Sequence, residues 1–242
     1  MSEFLSRRRR FLNIIMDREA PSQPFFCAGC DGIGATWRCI DCLSQPLFCT
    51  ICCKSAHKAS PFHRIEQWME TFFVPSWLTS AGLSVYLGHG GDQCPTSTYI
   101  HDSDNGGAGG EEWMDDEPDQ PPPSFDLGNG MFLPPRPGAA DINGCTILVA
   151  VTSTGVHHIG IGYCSCPGAA SQEEQLLIHG LYPATFVRPR TVFTFGVLDD
   201  FLMDNLECKT TAMKYFSKLR RKTCPSFPHL VPVCRTIPCS IP

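Results

Sequence analysis

Residues 27–63 read CAGCDGIGATWRCIDCLSQPLFCTICCKSAHKASPFH, and this stretch decides the fold of the first part of the chain. It holds three Cys-x-x-Cys pairs, Cys27/Cys30, Cys39/Cys42 and Cys49/Cys52, followed by His57 and His63. A Cys-x-x-Cys turn offers two thiolates from one tight backbone knuckle, and structural zinc takes four such soft or borderline donors in a tetrahedron. Eight donors make two complete sites, and disulfides would have no use for the histidines. Adjacent pairs have little room to close on one another, whereas alternate pairs interleave. The spacing therefore predicts a cross-brace: Cys27, Cys30, Cys49 and Cys52 on one zinc, Cys39, Cys42, His57 and His63 on the other. Cys53 is a spare thiol that could replace Cys52, although the two-residue gap from Cys49 favours Cys52. A segment this short has little core, so metal should supply much of its folding free energy.

The order and spacing of these ligands resemble ZZ-type and B-box zinc modules. They differ from RING fingers, which set a histidine between the second and third cysteine pairs. The predicted class is small α+β: a zinc-stabilised cross-brace module, ZZ/B-box-like, then a β-hairpin-plus-helices module with a third zinc site.

Composition bounds the rest. The chain has 242 residues, 43% of them hydrophobic, with 21 Gly, 21 Pro and 15 Cys. The amino-terminal FLNIIM is too short for a signal-peptide core and no apolar run approaches a membrane span, so reduced thiols in an intracellular, nuclear setting are expected. Five segments follow: a basic amino-terminal helix over 1–24, the two-zinc module over 25–68, a cysteine-cluster α+β module from 69–100 and 141–222, a disordered acidic Gly/Pro loop over 101–140, and an unstructured Pro/Cys tail over 223–242. In the first, Phe11, Leu12 and Ile15 form an apolar helical face behind Arg7, Arg8, Arg9 and Arg10, which read as a nuclear-import or nucleic-acid patch or as a solvated helix start. After His63, RIEQWMETFFVPSW reads as a short helix broken at Pro75, and GLSVYLG as a strand. The acidic loop carries Trp113 and Met114 as a candidate interaction motif.

Thr146–Val151 and Val156–Tyr163 flank the turn TSTG and read as a hairpin. Cys164 and Cys166 end it, and Cys94 precedes the acidic loop. These three cysteines with one histidine predict a third zinc site. Strand alternation puts His158 on the face of Cys164, and His89 is a further alternate. Two helices follow, with core stripes Phe195, Leu198, Phe201, Leu202 and Met213, Phe216, Leu219. The second ends in Lys218, Arg220, Arg221 and Lys222, which suits its dipole.

The pieces RRFLNIIMDREA, CAGC, WRCIDC, LFCTICCKSAH, PFHRIEQW, GLSVYLGHGGDQC, TGVHHIGIGYCSC, QLLIHGLYPATFVRPRTVFTF and VLDDFLMDNLECK run in one order. In this the chain resembles the CxC-like cysteine clusters of the second type, associated with KDZ (Kyakuja–Dileera–Zisupton) transposases of fungi. The resemblance covers about residues 8 to 222. It implies a zinc-chelating region lying upstream of a DDE-type transposase, and it favours His157, in the GVH piece, as the fourth ligand of the third site. The transposase part is not seen in this sequence, which points to a truncated element or a mis-spliced frame.

Function follows from charge and ligand chemistry. Residues 65–135 hold twelve acids and no Lys or Arg, so the remaining chain has 19 basic and 24 − 12 = 12 acidic residues, +7, although the whole is −5. The first expectation is a duplex-DNA-binding or target-recognition module, contacting phosphate through Arg7 to Arg10, Arg188, Arg190, Arg220, Arg221 and Lys222. The second is a zinc-dependent protein-interaction module that binds other transposase subunits or chromatin proteins, since residues 25–70 balance Arg38, Lys54, Lys58 and Arg64 against Asp31, Asp41, Glu66 and Glu70. No membrane or small-molecule partner is expected. Catalysis is not expected either: closed four-ligand sites leave no position for water, and GGAGG at 106–110 lacks the lysine of a phosphate-binding loop.

Overall fold

The computed structural model describes residues 2–19, 23–96, 134–225 and 228–231. Most of the acidic loop, including Trp113 and Met114, and residues 232–242 of the tail lie outside the described residues. The chain divides into two compact units, Met1–Leu83 and Ser84–Pro242. Residues 69–83 therefore belong with the first unit, past the boundary at 68 read from the sequence.

The first unit opens with helix α1 (Ser2–Glu19). Its apolar residues do not form a buried face: Phe11, Leu12 and Ile15 are all exposed. Its carboxyl end is held where Arg38 Nη1 donates to the Arg18 carbonyl at 3.0 Å. Four short strands follow in the spatial order β2 (Leu47–Phe48), β1 (Trp37–Cys39), β3 (Ile65–Met69), β4 (Phe72–Ser76), all antiparallel. Helix α2 (Thr50–His57) starts directly after Cys49. The core is small and built partly from candidate ligands: Cys27 and Cys39 pack with Cys53, Phe25, Trp37, Phe48, Ile65 and Leu78.

The segment read as a helix after His63 is instead the β3–β4 hairpin, with Ile65 opposite Ser76 and Met69 opposite Phe72. Its turn places Glu70 at φ 60. Cross-strand aromatic contact decides the matter: Trp68 meets Phe73 with ring centroids 4.8 Å apart and Phe25 at 5.0 Å. Pro75 is tolerated because β4 is an edge strand.

The second unit is a five-stranded mixed sheet in the order β5 (Ser84–Tyr86), β7 (Gly155–Gly162), β6 (Thr146–Thr152), β9 (Thr191–Thr194), β8 (Leu181–Pro183). The expected hairpin forms its centre as β6 and β7, and the strand expected in GLSVYLG is β5. β5 runs parallel to β7, and β9 runs parallel to β6. Helices α4 (Phe195–Cys208) and α5 (Ala212–Thr223) lie where expected, each capped by a threonine that accepts a backbone N–H, Thr194 from Val197 and Thr211 from Lys214. Their buried side chains match the expected stripes in part: Phe216 and Leu219 are buried, and Leu198 and Phe201 pack against the same cluster. Val197, Tyr215, Phe216 and Leu219 pack on Val149, Val151, Val156 and Phe193, while Phe195, Leu202 and Met213 are exposed. The tail is not wholly unstructured: Pro228–Leu230 form a 3-10 turn and Val231 is buried in the same cluster. A Pro-rich stretch without period still supplies one apolar side chain that fits.

His158 faces inward from β7 and is buried. Burial pulls its pKa from 6.5 down to about 4, against a hydrogen bond to the Pro135 carbonyl. The folded ring is thus neutral where an unfolded one would protonate. This stability is complete above about pH 6.5 and is lost as pH falls toward 4, with a slope of at most about 1.4 kcal/mol per unit. Histidine NMR should show His158 neutral at pH 5.5; a titration midpoint near 6.5 would contradict its burial.

Candidate metal centres

In a tetrahedral site with metal–sulfur bonds near 2.3 Å and metal–nitrogen bonds near 2.0 Å, two sulfurs lie about 3.8 Å apart and a sulfur and a nitrogen about 3.5 Å. Three groups of side chains among the described residues meet this test. In each, every donor atom lies within 4.8 Å of the others.

The first group is Cys27, Cys30, Cys49 and Cys52. The Cys30 and Cys49 sulfurs are 4.0 Å apart, far beyond a disulfide bond of about 2.05 Å. Backbone N–H groups of Cys49 and Gly29 donate to the Cys27 sulfur at 3.2 and 3.4 Å. Gly29 is required by space: a Cβ there would sit 2.9 Å from Cys52 Cβ and 3.0 Å from its sulfur. Cys53 points away into the core, and burial pushes its thiol up to about 12. It stands outside the ligand set.

The second group is Cys39, Cys42, His57 and His63. His63 Nδ1 lies 3.6 Å from the Cys39 sulfur and 3.4 Å from the Cys42 sulfur. His57 Nδ1 donates to the Cys53 carbonyl at 2.7 Å, which turns Nε2 toward Cys42 at 3.7 Å. This outer hydrogen bond fixes tautomer and ring orientation, as at a metal-bound histidine. The chain thus brings alternate pairs together, as the spacing leads one to expect.

The third group is His89, Cys94, Cys164 and Cys166. Cys94 lies 3.9 Å from Cys164 and 3.7 Å from Cys166, and His89 Nε2 is 3.4 Å from both Cys164 and Cys166. The three cysteines are those expected, but the histidine is neither His157 nor His158. His157 Nε2 lies 3.1 Å from the hydroxyls of Thr152 and Thr154, at the far end of β7. At about 3.3 Å per strand residue it is roughly 20 Å from Cys164. The physical reason is the parallel pairing of β5 with β7. Tyr86 lies opposite Gly162, so the segments leaving both strands emerge side by side. Leu87 N–H then donates to the Gly162 carbonyl, and the turn His89–Gly91 comes beside Cys164. A Cβ on Gly88 would meet Cys164 Cβ at 2.9 Å.

The crowding of thiols bears on what these groups can hold. The sulfurs of Cys49 and Cys27, with burial, push Cys52 up to about 12, and burial pushes Cys39 up to about 12. Cys94 is held down at about 5 by the Thr96 hydroxyl and the Ser165 N–H. Neighbouring thiolates raise one another, and a cation at the centre removes that penalty. The donor sets are four thiolates in the first group, two thiolates and two imidazoles in the second, and three thiolates and one imidazole in the third. Each is closed, with four protein ligands.

Sequence reasoning missed the residue that positions the third group. Gln175, buried in α3 (Gln172–Ile178), accepts the Cys164 N–H at 2.8 Å and donates to the Cys164 carbonyl at 2.9 Å and the Ala170 carbonyl at 2.8 Å. A glutamine in an amphipathic helix carries no local sign of such a role. Gln175→Ala is expected to weaken metal binding at this centre about 10–100-fold, the usual cost of an outer-shell partner. Competition with a chromogenic chelator measures this, and an unchanged affinity would remove Gln175 from the site.

The candidate phosphate contacts separate into distinct places. Arg8, Arg9, Arg10, Arg188, Arg190 and Arg221 are exposed, as is Arg7, which has a contact of its own. Lys222 Nζ donates to the Ser153 carbonyl at 2.8 Å, and Arg220 is half-buried. Arg38 and Arg64 are bound internally: Arg38 bridges Glu66 and stacks 3.9 Å over Phe73, and Arg64 grips Asp41.

Residues 138–226 match the family model described as a CxC2-like cysteine cluster associated with KDZ transposases. The match runs from the turn before β6 through α5 and includes Cys164 and Cys166. No family of catalytic domains matches, and no curated protein or solved structure gives a significant match.

Proposed function

We propose that the chain is a non-catalytic, three-zinc module of a KDZ-type transposable element that binds duplex DNA in the nucleus. The reading rests on one observation: arginines within the zinc module are consumed by ion pairs, whereas those on α1 and in the β8–β9 loop are exposed. Zinc is favoured over other metals by tetrahedral sulfur and imidazole donors without a carboxylate. Its role is structural, because each centre already has four protein ligands. The four-thiolate centre would carry 2 − 4 = −2 when loaded, so the zinc module repels phosphate and the contacts fall to the arginines outside it. The zinc-loaded chain should bind duplex DNA with a steep negative dependence on salt, read by fluorescence anisotropy. No binding at about 50 mM salt would reject the reading.

A second reading has its own support. The zinc module exposes Phe26, Ile33, Leu43 and Ile51, with Leu43 95% accessible. Exposed apolar side chains on a module without net positive charge suit a peptide or chromatin-protein partner. Histone-tail peptides that bind the full chain and no longer bind Leu43→Asp/Ile51→Asp would favour this function; equal binding by both would count against it.

A further inference from the structure

The β8–β9 hairpin carries a tip whose residues 185–188 are exposed. Phe186 and Val187 are exposed there, 62% and 83%. Arg188 follows at φ 48, in the left-handed region that non-glycine residues rarely take. Pro189 is buried and fixes the return. Strain of this kind persists where the surrounding structure imposes it, and it often marks a functional loop.

The tip has a charged flank. Val149 N–H donates to the Arg190 carbonyl, and Ile147 N–H donates to the Ala139 carbonyl, so segment 136–139 and Arg190 meet beside the start of β6. A Cβ on Gly138 would lie 3.2 Å from Arg190 Nε, so the glycine makes room for the guanidinium. Arg136, two residues earlier, is exposed. Arg136, Arg188 and Arg190 have no ion pair with a described residue, unlike Arg38, Arg64 and Lys218. The basic end of α5 is elsewhere: Lys222 binds Ser153 at the opposite end of β6.

Two exposed apolar side chains, with Arg188 and Arg190 next to them in the chain and Arg136 on the segment that meets Arg190, match a duplex whose bases are apolar at the step and whose rims are phosphate. Guanidinium groups fit phosphate with paired hydrogen bonds. Two apolar residues are too few to hold a lipid surface. We propose that this tip is a wedge: Phe186 and Val187 enter a base step from the minor groove and kink the duplex, while Arg136, Arg188 and Arg190 hold the flanking phosphates. This rests on the reading that the chain binds duplex DNA, and it adds where the duplex is deformed.

The test uses the full zinc-loaded chain and a duplex of about 20 base pairs labelled at both ends for energy transfer. A wedge that kinks by roughly 20–90° should raise the transfer at saturation. Phe186→Ala/Val187→Ser changes only exposed side chains; it should keep salt-dependent binding and lose the rise. Arg136→Ala/Arg188→Ala/Arg190→Ala should lower the log–log salt slope by about 2.7, at about 0.9 per phosphate. Binding without any rise, or a rise that survives Phe186→Ala/Val187→Ser, overturns the wedge and leaves DNA binding standing. An absence of duplex binding at low salt overturns both, and binding to anionic vesicles instead overturns the wedge in favour of a lipid surface.

Discussion

Native mass spectrometry of the full chain, purified reduced with zinc present, should return three bound ions, and a chelator should remove them together with the fold of residues 23–83. Little in that region stands without metal. Its strands are two to five residues long and its helix α2 has eight, well below the length at which a helix stands alone. Its core cluster includes Cys27 and Cys39, which belong to the candidate metal groups, so losing bound ions would open the core itself. A structural zinc contributes about 10–16 kcal/mol at neutral pH, comparable with the whole stability of a domain at about 5–15 kcal/mol. The second unit has an apolar cluster of its own, from Val149 to Leu219, and should keep its sheet. Buried Trp37 and half-buried Trp68 make the loss visible in fluorescence. Cys39→Ser should lose the ion of the second centre and show the same spectral change without chelator. Unchanged fluorescence after complete metal removal would mean that the sheet holds by itself.

The two units were not equally legible in the sequence. The cross-brace was readable because its ligands are local: each knuckle is four residues, and only the order of knuckles had to be inferred. The helices α4 and α5 were readable from period, and so were Leu198, Phe201, Phe216 and Leu219 of their apolar faces, but Tyr215 and Val197 are buried where Met213 and Phe195 were expected to be. The β3–β4 hairpin was hidden by a run of aromatics that suits either a helix or a strand, and the left-handed residue in its turn is Glu70, with no glycine to announce it. Arg38 and Arg64 read as surface charge in a sequence, yet each finds its carboxylate across the sheet or across the second metal centre, at Glu66 and Asp41. The third centre needed a parallel pairing of β5 with β7, segments far apart in the chain, which no local pattern encodes.

That third centre yields the other large effect. His89→Ala should bind two ions where the native chain binds three, and His157→Ala should still bind three. His89 stands 3.4 Å from two of the cysteine sulfurs, so its removal leaves three thiolates and a gap in the coordination shell. His157 instead closes the β6–β7 turn through Thr152 and Thr154, and its loss should cost about 1–3 kcal/mol of stability in the second unit without touching the metal. The two variants thus separate ligation from folding: one changes the count of ions, the other the midpoint of thermal unfolding. A reversed result, with His157→Ala losing the ion, would require β7 to end about 20 Å from where its pairing with β5 and β6 puts it, and would refute the parallel register of Tyr86 with Gly162. If His89→Ala keeps three ions, a water or a neighbouring side chain completes the shell. The centre would then have an open position, contrary to the closed structural site proposed here.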